Sequence, residues 1–226
     1  MKRSIMYLPL VGVMLLTSCG EKELRSDIKE FIASFSLEES VKAYQEAGYE
    51  TVTVISRNGH VEKTVETFDF NIKDPANPRY QTSEITYLDN EKTGEVTSNI
   101  INENGSFYYI INGEQNKEMS LEECHDLIRK FFYKTTMYDG TVYLRGMYYG
   151  DLIKQVVPAV QDLVKIDEEK GLYTYSAGQI KKNDKNEDVH VEQTYSVNRL
   201  GMLETMHLVE YDSSIHLEVN TAVYKI

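Results

Sequence analysis

Three Asn-Gly pairs, Asn58-Gly59, Asn104-Gly105 and Asn112-Gly113, sit between runs of alternating apolar residues. A two-residue type I′ hairpin needs φ > 0 at both central positions, and Asn-Gly adopts that backbone at least cost. The first half of the chain is thereby committed to antiparallel sheet. Strands are expected at Thr51–Ser56, Val61–Ile72, Tyr80–Leu88, Glu95–Ile101 and Phe107–Ile111, with a longer turn at Asp89–Gly94. Along Val61–Ile72 the apolar phase flips from Val61 and Val65 to Phe68, Phe70 and Ile72. Such a flip predicts a bulge or a strand that changes its buried face.

Helical spacing appears on either side of this sheet. Ile28, Phe31, Ile32 and Phe35 recur as one apolar stripe, with Ser26 placed to cap it. Ser36-Leu37-Glu38-Glu39 reads as a capping box, and Gly48 as a helix stop, so one kinked helix or two short ones should cover 26–47. Ser120-Leu121-Glu122-Glu123 repeats the box ahead of Cys124, Leu127, Ile128, Phe131 and Phe132. A further segment opens at Asp151 and is expected to bend or split at Pro158. Four strands, 171–181, 188–198, 202–211 and 214–225, end the chain, joined by polar turns.

The N-terminus obeys a different logic. Lys2 and Arg3 precede twelve apolar residues, Ile5 to Leu16, and then Leu16-Thr17-Ser18-Cys19-Gly20. Twelve residues rise about 18 Å as a helix, short of the roughly 30 Å hydrocarbon core, and Pro9 weakens the stretch further. This is the layout of a secretory signal, to be set apart from the fold. The Leu-Thr-Ser-Cys ending resembles the bacterial lipobox, which implies cleavage before Cys19 and a diacylglyceryl group on its thiol. The expected organisation is a signal peptide over 1–18, a lipidated tether over 19–25 and one domain over 26–226. Two or more acyl chains hold a protein stably on a bilayer. The membrane is thus the first expected partner, reached through Cys19. The expected location is the outer face of the cytoplasmic membrane, or the periplasm if the host has two membranes.

Removing residues 1–18 takes two of the 24 basic residues and none of the 36 acidic ones, so the mature net charge is near −14. A surface that acidic repels phosphate backbones, which argues against nucleic acid as a partner. With Cys19 spent on lipid, Cys124 has no second cysteine to pair with, and stability must come from the core. Seventeen Tyr and seven Phe supply rings for it.

The lipobox, the N-terminal helix and the aromatic run Asn104-Gly105-Ser106-Phe107-Tyr108-Tyr109-Ile110-Ile111-Asn112-Gly113-Glu114 together resemble the lipoprotein-carrier superfamily, the LolA/LolB and LppX-like half-barrels. That likeness implies an α+β fold: a single curved antiparallel β-sheet, a half-barrel of about ten strands, with an N-terminal helix and a helical insertion. It also implies a hollow for acyl chains. No membrane-release arginine or loop matches, so a transport role does not carry over.

Other chemistry is weighed and set aside. Ser26-Asp27-Ile28-Lys29 matches S-x-x-K and Lys92-Thr93-Gly94 matches K-T-G, as in penicillin-binding enzymes. Ser26 lies too near the anchor, however, and the Ser196-Val197-Asn198 triplet follows K-T-G where it should precede it. His190, His207 and His216 fall on successive strands near Glu192 and Glu218, but the parity of His207 with Leu203 and Val209 puts it on the other face, so no metal is expected. Cys124-His125 cannot pair across one helical step, and Cys124 reads as a buried core thiol. Phosphate-cradling loops, H-E-x-x-H, G-x-S-x-G and C-x-x-C are absent. No enzyme activity and no cofactor are expected.

The function read from sequence is a membrane-anchored exported lipoprotein expected to bind or carry an apolar ligand, a lipid in chemical class, in a sheet/helix hollow. Phe107, Tyr109 and Ile111 share one face of their strand and should line that hollow, with Phe131 opposite. The alternative is a non-enzymatic envelope interaction or scaffold lipoprotein with a filled core. The sequence names no protein partner.

Overall fold

The computed structural model describes residues 23–132, 135–138, 141–144, 146–182 and 186–226. The expected signal peptide, Cys19 and the first part of the expected tether lie outside the described residues. Two short helices come first, α1 (Ser26–Ala33) and α2 (Leu37–Ala43). Six strands follow: β1 (Glu46–Arg57), β2 (His60–Asn71), β3 (Arg79–Leu88), β4 (Glu91–Glu103), β5 (Ser106–Ile111) and β6 (Glu114–Met119). Then come α3 (Leu121–Arg129), a small separate hairpin of β7 (Thr135–Tyr138) and β8 (Thr141–Leu144), and α4 (Gly150–Val160). A 3₁₀ turn, Gln161–Leu163, leads into β9 (Val164–Asp167), β10 (Leu172–Lys182), β11 (Asp188–Asn198), β12 (Leu203–Tyr211) and β13 (Ile215–Lys225). No helix among the described residues is long and apolar enough to cross a membrane.

Eleven strands form one antiparallel sheet in the order β6-β5-β4-β3-β2-β1-β13-β12-β11-β10-β9. It is an open, curved α+β half-barrel made of two meanders joined along a single seam, where β1 pairs with β13 from Ala47↔Lys225 to Arg57↔Ile215. The Asn-Gly turns behave as their chemistry requires: φ is 51° and 81° at Asn58-Gly59, 56° and 92° at Asn104-Gly105, and 51° and 81° at Asn112-Gly113.

Several local expectations are corrected. Asp89 and Asn90 form a two-residue turn of the same kind, at φ 50° and 70°, so Glu91–Gly94 belongs to β4 and not to a long turn. Asp89 makes this possible by accepting from Val61 N–H at 2.9 Å and meeting His60 Nδ1 at 2.8 Å, which ties two hairpin tips together. Gly48 stops no helix; it lies inside β1. A Cβ there would come within 2.6 Å of the Phe68 carbonyl and 2.8 Å of the Tyr224 ring. That ring covers the glycine while its hydroxyl donates to Asp69 Oδ1 at 2.6 Å. Ser26 does not cap α1: the N-cap is Arg25, which makes no side-chain capping hydrogen bond to the helix. Ser120 does close its capping box with Glu123. Pro158 neither breaks nor splits α4, because it sits in the last turn, after which the chain tightens to 3₁₀. Along β2 the register to β1 and β3 is unbroken, so the phase flip is a change of buried face and not a bulge.

The helices lie on one face of the sheet and bury two adjoining clusters. One gathers Phe68, Phe70, Tyr80, Ile100 and Phe107 of the sheet under Cys124, Ile128, Phe131 and Phe132. The other gathers Tyr173, Tyr195, Val197 and Leu203 under α1 and α4. The β11–β12 loop clasps both helical ends. Ser34 Oγ donates to the Arg199 carbonyl at 2.7 Å, Ser40 Oγ to that of Leu200 at 2.9 Å, and Tyr149 N–H to that of Gly201 at 2.8 Å.

Candidate functional site

The concave face can be read strand by strand, because residues directly opposite in register point to the same side. Its lower rows run Tyr109, Ile100, Tyr80, Phe70, Ala47 and, one row up, Ile111, Ser98, Thr82, Phe68, Tyr49, Val223. These rows form a floor filled by rings. Phe131, 1 % exposed, lies 4.7 Å from Phe70 and 5.6 Å from Phe68, centroid to centroid, and Tyr49 stacks on Phe68 at 5.4 Å.

The sequence-derived lining residues divide on this floor. Phe107, Tyr109 and Ile111 share the helix-facing side, as their parity requires. Phe107 is 6 % exposed and belongs to the same cluster as Phe131, whereas Tyr109 and Ile111 are half-buried. Cys19, the candidate anchor, lies outside the described residues.

Above the floor the concave face changes character. On β11–β13, Val189, Val191, Leu208 and Val219 form a third buried apolar cluster, with Met206 and Leu217 half-buried against it. On β2–β3 the same face carries Glu62, Thr64, Glu66, Glu84 and Thr86. The upper trough thus has one apolar wall and one acidic, hydroxyl-rich wall. Thr51 and Thr221 divide them, their hydroxyls 2.9 Å apart. Near the hairpin tips the trough opens into a depression of about 440 Å³ lined by Ile55, Arg57, Asn58, His60, Glu62 and Leu88.

Glu66 and Glu84 face each other directly across β2 and β3. Desolvation by the surrounding trough pushes the Glu66 carboxyl above its ordinary range, and the charge of Glu84 pushes it the same way. At the other end, Tyr149, Tyr173 and Tyr175 surround Tyr195 at 5.1–6.5 Å between ring centroids. The Tyr173 hydroxyl is buried in this group, and burial drives its pKa far up. Alternation along β10 and β11 carries this group in the sequence; only Tyr149, the residue before α4, does not show there.

The remaining candidates separate in space. Cys124 is wholly buried and its thiol is pushed up by burial, while the His125 ring meets the Pro75 carbonyl at 2.8 Å. His190, His207 and His216 all lie on the outer, convex face, contrary to the parity argument. The register slips between Ser196 and Val197, so Leu203 faces inward and His207 outward although both are odd-numbered. His190 stacks on Tyr211 at 4.9 Å and His207 meets Asn220 at 2.6 Å. Among the described residues, no three His, Cys, Asp or Glu side chains converge as metal ligands would.

No protein-family model matches this chain, and no curated protein does. Among solved structures, it is similar to a beta-barrel-like protein of domain of unknown function DUF1849 from Brucella abortus, at 9 % identity over 80 % of this chain and 98 % of that one, with a TM-score of 0.22. A putative outer membrane lipoprotein-sorting protein domain from Vibrio parahaemolyticus matches at 9 % identity over 88 % and 90 %, TM-score 0.22. A DUF1329 family protein from Desulfovibrio piger matches at 8 % over 89 % and 94 %, TM-score 0.21. Likenesses at this level carry no ligand or activity across.

Proposed function

We propose that this chain is a membrane-anchored, exported lipoprotein that binds an apolar ligand, a lipid by chemical class, without catalysing a reaction on it. The observation supporting this reading is the two-sided upper trough: a valine and leucine wall on β11–β13 facing hydroxyl and carboxyl groups on β2–β3. An amphiphile laid along it would bury its chain against the half-buried Met206 and Leu217 that border this wall, gaining about 25 cal/mol per Å² of apolar area covered, and keep its polar end wet on the other side. Tyr109 and Ile111, half-buried at the floor, would meet the same ligand from below. Phe107 and Phe131 contribute by closing that floor.

Native mass spectrometry of the protein purified from a lipid-containing host, with a fluorescent fatty acid as second probe, tests this. Leu217→Lys alters a half-buried position of the apolar wall and should abolish probe binding while leaving the melting temperature within a few degrees. Absence of any co-purified lipid, together with no probe binding by the unaltered protein, would end the carrier reading. A second reading, an envelope scaffold acting through its outer face, is favoured by the filled space beneath α3, where Phe131 touches four rings. It gains if that outcome is found.

A further inference from the structure

The body takes hold of the N-terminal chain through one buried glutamine. Gln161, 2 % exposed in the 3₁₀ turn after α4, accepts from Arg25 N–H at 3.0 Å and donates its amide to the Glu23 carbonyl at 3.4 Å. The Arg25 guanidinium donates to the carbonyls of Gln161 and Val164, 3.1 Å each, and its other nitrogens hold Asp27. The tether therefore ends earlier than its charge pattern suggests: from Glu23 onward the chain is part of the body. Only Gly20, Glu21 and Lys22 separate it from Cys19. Four Cα steps of at most about 3.6 Å give a leash of roughly 14 Å or less.

A leash that short does more than retain the protein; it limits which side can approach the bilayer. We infer that the corner formed by α1, the 3₁₀ turn and edge strand β9 rests against the lipid surface, with the hairpin tips at Leu88 and Asn58 turned away from it. This rests on the reading of Cys19 as the acylated anchor. Leu163, which ends the same 3₁₀ turn, presents a 47 % exposed apolar side chain at that corner, where a lipid interface can receive it. Leu88 stands at the end of β3, seven strand positions from β9 in the sheet order, about 34 Å measured along the sheet. The strongly acidic body also favours a small footprint over lying flat on anionic headgroups.

The test uses the full lipoprotein in phosphatidylcholine–phosphatidylglycerol vesicles carrying a rhodamine-labelled lipid as energy acceptor. A donor dye is placed on Leu163→Cys or on Leu88→Cys, both exposed positions, Cys124 being wholly buried. Transfer should be several-fold higher from position 163 than from 88. Equal or reversed transfer from vesicle-bound protein overturns the orientation. A Gly/Ser insert of about ten residues after Gly20, adding roughly 17 Å of flexible reach, should remove most of the difference; persistence of the difference would overturn the leash as its cause. Cys19→Ala separates the two layers of the argument: if that variant still floats with the vesicles, the anchor reading fails by itself, whatever the dyes report.

Discussion

Glu66 holds a charge that its surroundings resist. Its folded pKa lies above the unfolded one, so in the window between them the native state binds more protons and stability falls as pH rises. Glu66→Gln removes that cost. The variant should melt higher than the parent at pH 8, with the advantage shrinking as pH drops towards the ordinary carboxylate range; a lower melting temperature at pH 8 would contradict the desolvation account. Phe131→Ala should cost about 3–5 kcal/mol in denaturant titrations, since its ring fills space shared with Tyr49, Phe68, Phe70 and Phe132. Gly48→Ala should destabilise by about 1–3 kcal/mol, because the Tyr224 ring and the Phe68 carbonyl occupy the place of a methyl group. Residue-scale features read well from sequence where one strand's own alternation decides them, as for the strand face shared by Phe107, Tyr109 and Ile111. They misread where a neighbour decides. The reason for Gly48 lies across the seam on Tyr224, and the direction of His207 depends on a slip opposite Ser196.

Helix caps separate local signals that are used from those that are not. Ser120 Oγ accepts from Glu123 N–H at 3.1 Å and the Glu123 carboxylate accepts from Ser120 N–H at 2.8 Å, so Ser120→Ala should cost about 1 kcal/mol. Ser26→Ala should be neutral to within about 0.5 kcal/mol, since Arg25 takes the cap position and is held there by Gln161. Circular dichroism melts of the two variants side by side check the contrast. The last four strands were legible almost to the residue, because alternation and polar turns agreed along each. β9 was not: four residues, Val164–Asp167, are too few to show a period, and their strand character comes from pairing with β10. The upper trough could not be read either, since among the described residues it begins where the helices stop. That is settled by the clasp of the β11–β12 loop on Ser34, Ser40 and Tyr149, a set of long-range bonds with no local trace.

At the scale of the whole molecule, the acidic and apolar walls of the trough come from different meanders, β1–β6 and β9–β13, which meet laterally only where β1 pairs with β13. Truncation before Ile215 should leave both meanders with a bare edge, seen as loss of a single cooperative melt and as aggregation in light scattering. The seam also dictates timing. A chain emerging from N to C produces β1 before the other strands of the sheet, yet its second neighbour, β13, follows only after β2–β12, so β1 waits through their synthesis for that partner. Contacts this distant along the chain are slow to form, and until they do the first meander carries one of its longest strands as an open flank. A holding chaperone would find its binding surface on that flank, and would be released when β13 pairs with it.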